Sequence, residues 1–313
     1  MNRRAEPGAA SPSQNTSNLP IFAAGAANLA IAISKFIAFG FTGSTAMLSE
    51  GFHSTVDTAD QGLLLLGSRL SRRRADKLHP FGYGMEQYFW SFVVAILIFA
   101  LGGTASIYEG VHRLASPEPI RSPWINFTVI GAAILFEGTS WTIAMRKYAK
   151  RTGELSLGSL HRSKDPALFT VILEDTAALL GLLIAAAGVI GSAYFNWPQA
   201  DGYAAIAIGV LLIGVALFLA RESRSLLVGE AATPDLVNAI EGVVHDAPET
   251  SDVADVATLH LGADRILVAI TLKRPADAAD VTRLTHAIRA IDPRIKDVFF
   301  RPESATKTQT NAP

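Results

Sequence analysis

The segment TGSTAMLSEGFHSTVDTADQGLLLLGSRL, from Thr42 to Leu70, is apolar and long enough to cross a bilayer. It nevertheless carries Glu50, His53, Asp57, Asp60 and Gln61 in its first two-thirds. At about 100° per residue on a helix, Glu50, His53, Asp57 and Gln61 share an arc of roughly 80°. The other faces are mostly Met, Leu, Phe, Ala and Gly. A carboxylate at the bilayer centre costs roughly 2.5–3.5 kcal/mol on insertion scales, so a stripe of them needs something to bind. His and Asp four residues apart also offer a metal two ligands from one rigid support. The chemistry indicated is coordination of a cation inside the membrane.

A second acidic feature lies in TVILEDTAALLGLLIAAAG, where Glu174 and Asp175 are adjacent in apolar sequence. Neighbours on a helix point about 100° apart, so at most one faces the His/Asp stripe squarely. In one reading Asp175 completes a site with His53 and Asp57, and Glu174 is a spare ligand or an outer partner of one. In the other, both are solvated near a helix end. Their place about two turns beyond Asp165 and Pro166 weighs against that. Lys35 and Glu137 also fall in apolar runs, where they either pair or line a proton route. For Lys35, snorkelling to the interface is the alternative. Glu109 and His112 read as interfacial.

These residues need a membrane scaffold, and the composition supplies one. Half of the 313 residues are hydrophobic and 18% are charged, where a soluble chain carries about 25%. Mean hydropathy is +0.30. Net charge is −1, so nothing points to nucleic acid as a partner. The absence of cysteine removes disulfides, thiolate metal sites and thiol catalysis. No Walker-type phosphate loop is present, which speaks against nucleotide use.

Six apolar runs are expected to span the bilayer, at residues 20–41, 46–69, 88–112, 124–146, 166–193 and 203–221. Arg3 and Arg4, Arg69 to Lys77, Arg146 to Lys164, and Arg221 with Arg224 carry most of the basic charge. The alternate links hold only Arg113 and Arg121. By the positive-inside rule both termini are cytoplasmic. Residues 1–17 read as a disordered tail, 18–227 as the six-helix membrane domain, 228–302 as a cytoplasmic α+β domain, and 303–313 as a second disordered tail. Within the α+β domain the pattern predicts a helix at 234–246, strands at Val253–Leu261 and Ile266–Lys273 with a turn at Gly262–Arg265, a helix through Val281–Ile291, and a strand at Asp297–Arg301. The order is αββαβ.

TGSTAMLSEGFHSTVD, HPFGYGMEQY, YEGVHRL and LEDTAALLG together resemble the cation diffusion facilitator family, and EGFHSTVDTADQGLL with LEDTAA is similar to its mitochondrial-type zinc branch. The resemblance implies a homodimer of six-helix protomers that exports a divalent cation in exchange for protons by alternating access. It implies no prosthetic group. The cargo is a divalent cation, Zn²⁺ first, with Fe²⁺ and Mn²⁺ as alternatives that accept oxygen-rich shells. Residue by residue it implies His53, Asp57 and Asp175 as metal ligands, with Val171 standing where many relatives have a fourth. Glu174, Glu50 or water would fill that gap. A second family site falls on Asp76 and His79, with Tyr83 where some relatives have His. His245, His260 and His286 stand singly and read as surface residues without a strong metal site. The expected location is a bacterial inner membrane.

Two rivals belong to other classes. An intramembrane metallohydrolase commonly shows HExxH, which is missing here. A membrane-bound regulatory protein that has lost transport fits the apolar Val171 and would bind metal without moving it.

Overall fold

The computed structural model describes residues 19–152, 166–245, 253–273 and 277–303. The expected tail at 1–17, most of that at 303–313, and Arg162 and Lys164 of the basic link lie outside the described residues. Long helices come first: α1 (Leu19–Thr42), α2 (Thr45–Ser71), a rod built from α3 (Glu86–Leu97) and α4 (Ala105–Ala115), α5 (Pro123–Thr152), α6 (Pro166–Tyr194) and α7 (Gln199–Val228). Among the described residues, four rods are long and apolar enough to cross a membrane: Glu86–Ala115, Pro123–Lys150, Thr170–Tyr194 and Gln199–Val228. α1 counts only as a shorter apolar helix over Asn28–Thr42, and α2, with Glu50, Asp57 and Asp60 on it, is not one of the four. α7 extends at both ends beyond the 203–221 expected from hydropathy, because the helix runs on through the polar stretches Gln199–Gly202 and Arg221–Ser225.

Local chemistry explains the joints. Gly43 turns the chain at φ 69°, and Ser44 then caps α2 by accepting from the Met47 N–H. The third rod is interrupted by a π-helical segment, Ile98–Thr104, that the sequence did not indicate. There Thr104 Oγ1 donates to Phe99 O, five residues back. Gly102 and Gly103 in this segment let the rod close on α7, as do Gly110 and Gly202. A Cβ at Gly110 would stand 2.7 Å from Gly202 O. α2 packs against α1, α3, α4, α6 and α7, so it sits at the centre of the bundle.

The C-terminal unit runs α8 (Pro234–His245), β1 (Val253–Gly262), β2 (Arg265–Leu272), α9 (Ala278–Ile291) and β3 (Ile295–Pro302). β2 is central, antiparallel to β1 and parallel to β3. Ile266, Val268 and Ile270 alternate along β2 and bury against Leu236 and Ile240 of α8 and Leu284 and Ile288 of α9. Arg265 straps β2 to β3 through a paired contact with Asp297, at 2.7 and 3.0 Å. Its third bond, 2.8 Å to Phe81 O, reaches the α2–α3 link and ties this unit to the membrane helices.

Candidate metal-binding site

α2 presents its ionisable stripe to the inside of the bundle. Glu50, His53, Asp57 and Asp60 are all buried, with His53 at 1% exposure. His53 Nδ1 lies 3.3 Å from Asp57 Oδ1, the contact expected of residues one turn apart. Glu174 and Asp175 on α6 are buried as well, and Asp175 accepts from Ser140 Oγ of α5 at 2.9 Å. Asp57 lies within electrostatic reach of Glu137, Asp60, Lys35 and Asp175, and Glu174 within reach of Asp60, Asp57 and Asp175. α2, α5 and α6 therefore bring their acids toward one region.

They do not close on a point. Among the described residues no three His, Asp or Glu side chains are gathered tightly enough to hold an ion as they stand. What the region offers is unsatisfied ligand atoms. Both His53 nitrogens, Asp57 Oδ1, both Asp60 oxygens, Glu174 Oε1 and Glu50 Oε1 are buried without a hydrogen-bond partner. Native proteins leave few such groups, and each costs about 1–3 kcal/mol where it stands. Imidazole with several carboxylates is a donor set for a borderline or hard divalent ion. Val171, four residues before Asp175, packs into the apolar core and contributes no donor.

Several expectations change here. Lys35 does not snorkel, because its side chain is sealed from solvent. Nor does it pair with Glu137: its ammonium donates to Glu50 Oε2 at 2.9 Å and Ser54 Oγ at 2.7 Å, since α1 lies along α2. Asp60 was part of the polar stretch but fell about 20° outside the arc, and the wheel alone did not single it out. It is fully buried beside the others. Gly181 of α6 leaves room for Glu50, because a Cβ there would collide with Oε1. Arg113 is no loop charge; it is buried on α4 with its Nε 3.8 Å from Asp201 Oδ2. Glu109 is half-buried and His112 exposed near the end of α4.

In the α2–α3 link, Asp76 and His79 face each other at 3.6 Å. Asp76 is already engaged as a loop clip, accepting from the Leu78 and His79 N–H groups and from Tyr83 Oη at 2.7 Å. The Tyr83 hydroxyl, then the His79 N–H, hold its carboxyl below the usual aspartate value, and the hydrogen bond to Asp76 in turn pushes the Tyr83 phenol up. His260 corrects another expectation: it is buried on β1, 1% exposed, while His245 and His286 are exposed.

Residues 21–228 match the cation efflux transmembrane domain. The chain belongs to the cation efflux family. This cation efflux protein, a cation diffusion facilitator, is 32% identical over 235 residues to the mitochondrial proton-coupled zinc antiporter SLC30A9 of Homo sapiens, covering 74% of this chain and 41% of that one. It is 37% identical over 200 residues to metal tolerance protein C4 of Arabidopsis thaliana, covering 63% and 44%. It is 26% identical over 238 residues to magnetosome protein MamB of Paramagnetospirillum magneticum, covering 76% of each. The chain thus spans about four-tenths of the length of the first curated relatives it matches.

Proposed function

We propose that this chain exports a divalent metal cation from the cytoplasm in exchange for protons, by alternating access through six membrane-spanning helices. The observation that carries the reading is the set of buried ligand atoms without a hydrogen-bond partner on His53, Asp57, Asp60 and Glu174 inside a cation efflux domain. His53, Asp57 and Asp175 bind the ion, and Glu174 or Asp60 completes the shell. The helices bring these side chains together on the cargo, then release it on the other side. Protons arriving there take the same imidazole and carboxylates, so metal and protons exclude each other without a separate coupling device. Zn²⁺ is the first candidate, supported by the named activity of the human relative. Fe²⁺ and Mn²⁺ suit the oxygen-rich donor set.

In this reading both termini are cytoplasmic, the protein lies in a bacterial inner membrane, and it works as a homodimer, which the small α+β unit favours because it buries little core alone. The basic links after α2 and α5 support the orientation. The Asp76/His79 pair is at most a weak second site.

The test is flux in proteoliposomes under a fixed pH gradient, comparing Zn²⁺, Fe²⁺ and Mn²⁺. Asp57→Asn abolishes uptake and the accompanying proton counter-flow. Wild-type flux in that variant rejects the ligand assignment, and metal binding without flux in the wild type rejects the exporter.

A further inference from the structure

We propose that the end of α2 carries a binding site for an anionic phospholipid, its phosphate held by Arg72, Arg73 and Arg74 and an acyl chain lodged in the apolar cavity alongside. α2 finishes at Ser71, and the three arginines follow at once. All three are exposed, and among the described residues their guanidinium groups have no hydrogen bond or ion pair. They line one cavity of about 330 Å³ whose opposite wall is the β1–β2 turn with Asp264 and Arg265, and Ser68 and Ser71 add hydroxyls. Arg265 is occupied by Asp297 and Phe81 O. The free positive charge therefore belongs to the α2 end, and Asp264 is the single acid in the lining.

A second cavity of about 540 Å³ shares Phe81, Gly82 and Tyr83 with the first. Its walls are mainly apolar, with Leu78, Met85, Phe89, Leu227 and Leu261, and His79 and Glu86 also line it as ionisable groups. Guanidinium groups bind phosphate through paired N–H donors, and basic pockets just past a membrane helix meet lipid headgroups at that level. A free phosphate ion makes no use of the apolar cavity, whereas a diacyl phosphate fills both. Positive-inside orientation alone would explain arginines here, but it needs neither convergence on a cavity nor an apolar neighbour. Arg146, Lys147 and Lys150 on α5 meet that requirement equally well.

The walls come from two parts of the chain. Gly84 of the link meets Leu261 and Gly262 of the hairpin so closely that a Cβ at Gly84 would overlap Leu261 O. A lipid in this seam braces the α+β unit against α2, the helix that carries His53 and Asp57. The inference goes beyond metal export, and its readout is lipid retention, which does not depend on transport.

The test uses the purified full chain in a neutral detergent, with native mass spectrometry after adding dioleoyl phosphatidylglycerol or dioleoyl phosphatidylcholine at equal concentration. The anionic lipid is retained about tenfold over the zwitterionic one. Arg72→Gln/Arg73→Gln/Arg74→Gln brings it down to the zwitterionic level. Should that variant fold poorly, Arg73→Gln alone lowers retention several-fold, and the triple change to Lys keeps most of it because ammonium still binds phosphate. Lys147→Gln/Lys150→Gln, on α5, leaves retention unchanged. Equal retention of both lipids overturns the site, as does an equal loss in the α5 variant. Complete displacement by millimolar inorganic phosphate assigns it to a soluble anion instead and overturns the lipid.

Discussion

Lys35 Nζ lies 2.9 Å from Glu50 Oε2 with both side chains closed to solvent, joining α1 to α2 one turn before His53. Each charge is tolerable inside the bundle because the other is there. Removing one partner of a buried pair leaves an uncompensated charge and costs about 3–5 kcal/mol, whereas replacing both with apolar residues is often nearly neutral. Lys35→Met is therefore expected to lose about that much stability, and Lys35→Met/Glu50→Leu to recover most of it. Chemical unfolding in detergent closes the double-mutant cycle. Additive losses would show that the two charges do not support each other.

Asp60 behaves in the opposite way. Both of its oxygens are buried and without a partner, so its carboxylate contributes no bond to the resting fold. Asp60→Asn is expected to leave the unfolding midpoint unchanged or raise it, as functional sites held at a cost to stability do. Metal affinity measured by titration calorimetry falls about 10–100-fold, the usual effect of losing a ligand or a group that orients one. Lower stability with unchanged affinity would make Asp60 a structural residue.

How far the sequence discloses these relations depends on their range. Glu50, His53 and Asp57 could be read because helical periodicity puts them on one face, and Glu174 with Asp175 because two acids interrupt an apolar run. The αββαβ order was readable for the same reason: strand alternation and 3–4 helical spacing are local signals. The partner of Lys35 was not readable, since no wheel says whether α1 lies on α2 or on α5. The burial of His260 is not legible either, because a lone histidine in a strand carries no mark of burial. The π segment in the third rod depends on how Gly102 and Gly103 meet Leu212 and Ile213 of α7, a contact between distant parts of the chain.

The loop clip at Asp76 gives a pH prediction. Its carboxyl is held below the ordinary aspartate value of 3.8, chiefly by the Tyr83 hydroxyl and then by the His79 N–H. A depressed carboxylate contributes order above its unfolded pKa and loses it as pH falls through the lower folded value. Protection against hydrogen exchange over residues 76–83, relative to the intrinsic rate at each pH, is therefore expected to stay constant from pH 8 to 5, with release only below about 3.8. Tyr83→Phe removes the hydroxyl that donates to Asp76 and speeds exchange across that whole range. It also frees Asp76 for a cation beside His79, so loop Zn²⁺ binding strengthens. Loss of protection between pH 5 and 7 in the wild type would show that the Asp76 carboxylate is not what orders the loop.

Asp201 at the start of α7 holds the beginning of α2 from a sequence distance of 157 residues. Its carboxylate accepts from Ser44 Oγ and from the Thr45 and Ala46 N–H groups, and Arg113 stands 3.8 Å away. It thus serves as a cap from another helix, satisfying α2 donors that have no partner within the helix itself. Losing a cap costs about 0.5–2 kcal/mol, and here the buried Arg113 also loses one of the two acids 3.8 Å from it, keeping only the exposed Glu118. Asp201→Ala is expected to cost more than about 2 kcal/mol, and Ser44→Ala about 1 kcal/mol. Because Ser44 donates to Asp201, the double variant falls short of the sum. The same anchor fixes the height of α2 against α7, and with it the depth of His53 and Asp57 in the bundle. Asp201→Ala should therefore weaken metal binding at a site it never touches, and unchanged affinity in a destabilised variant would separate the anchor from the site.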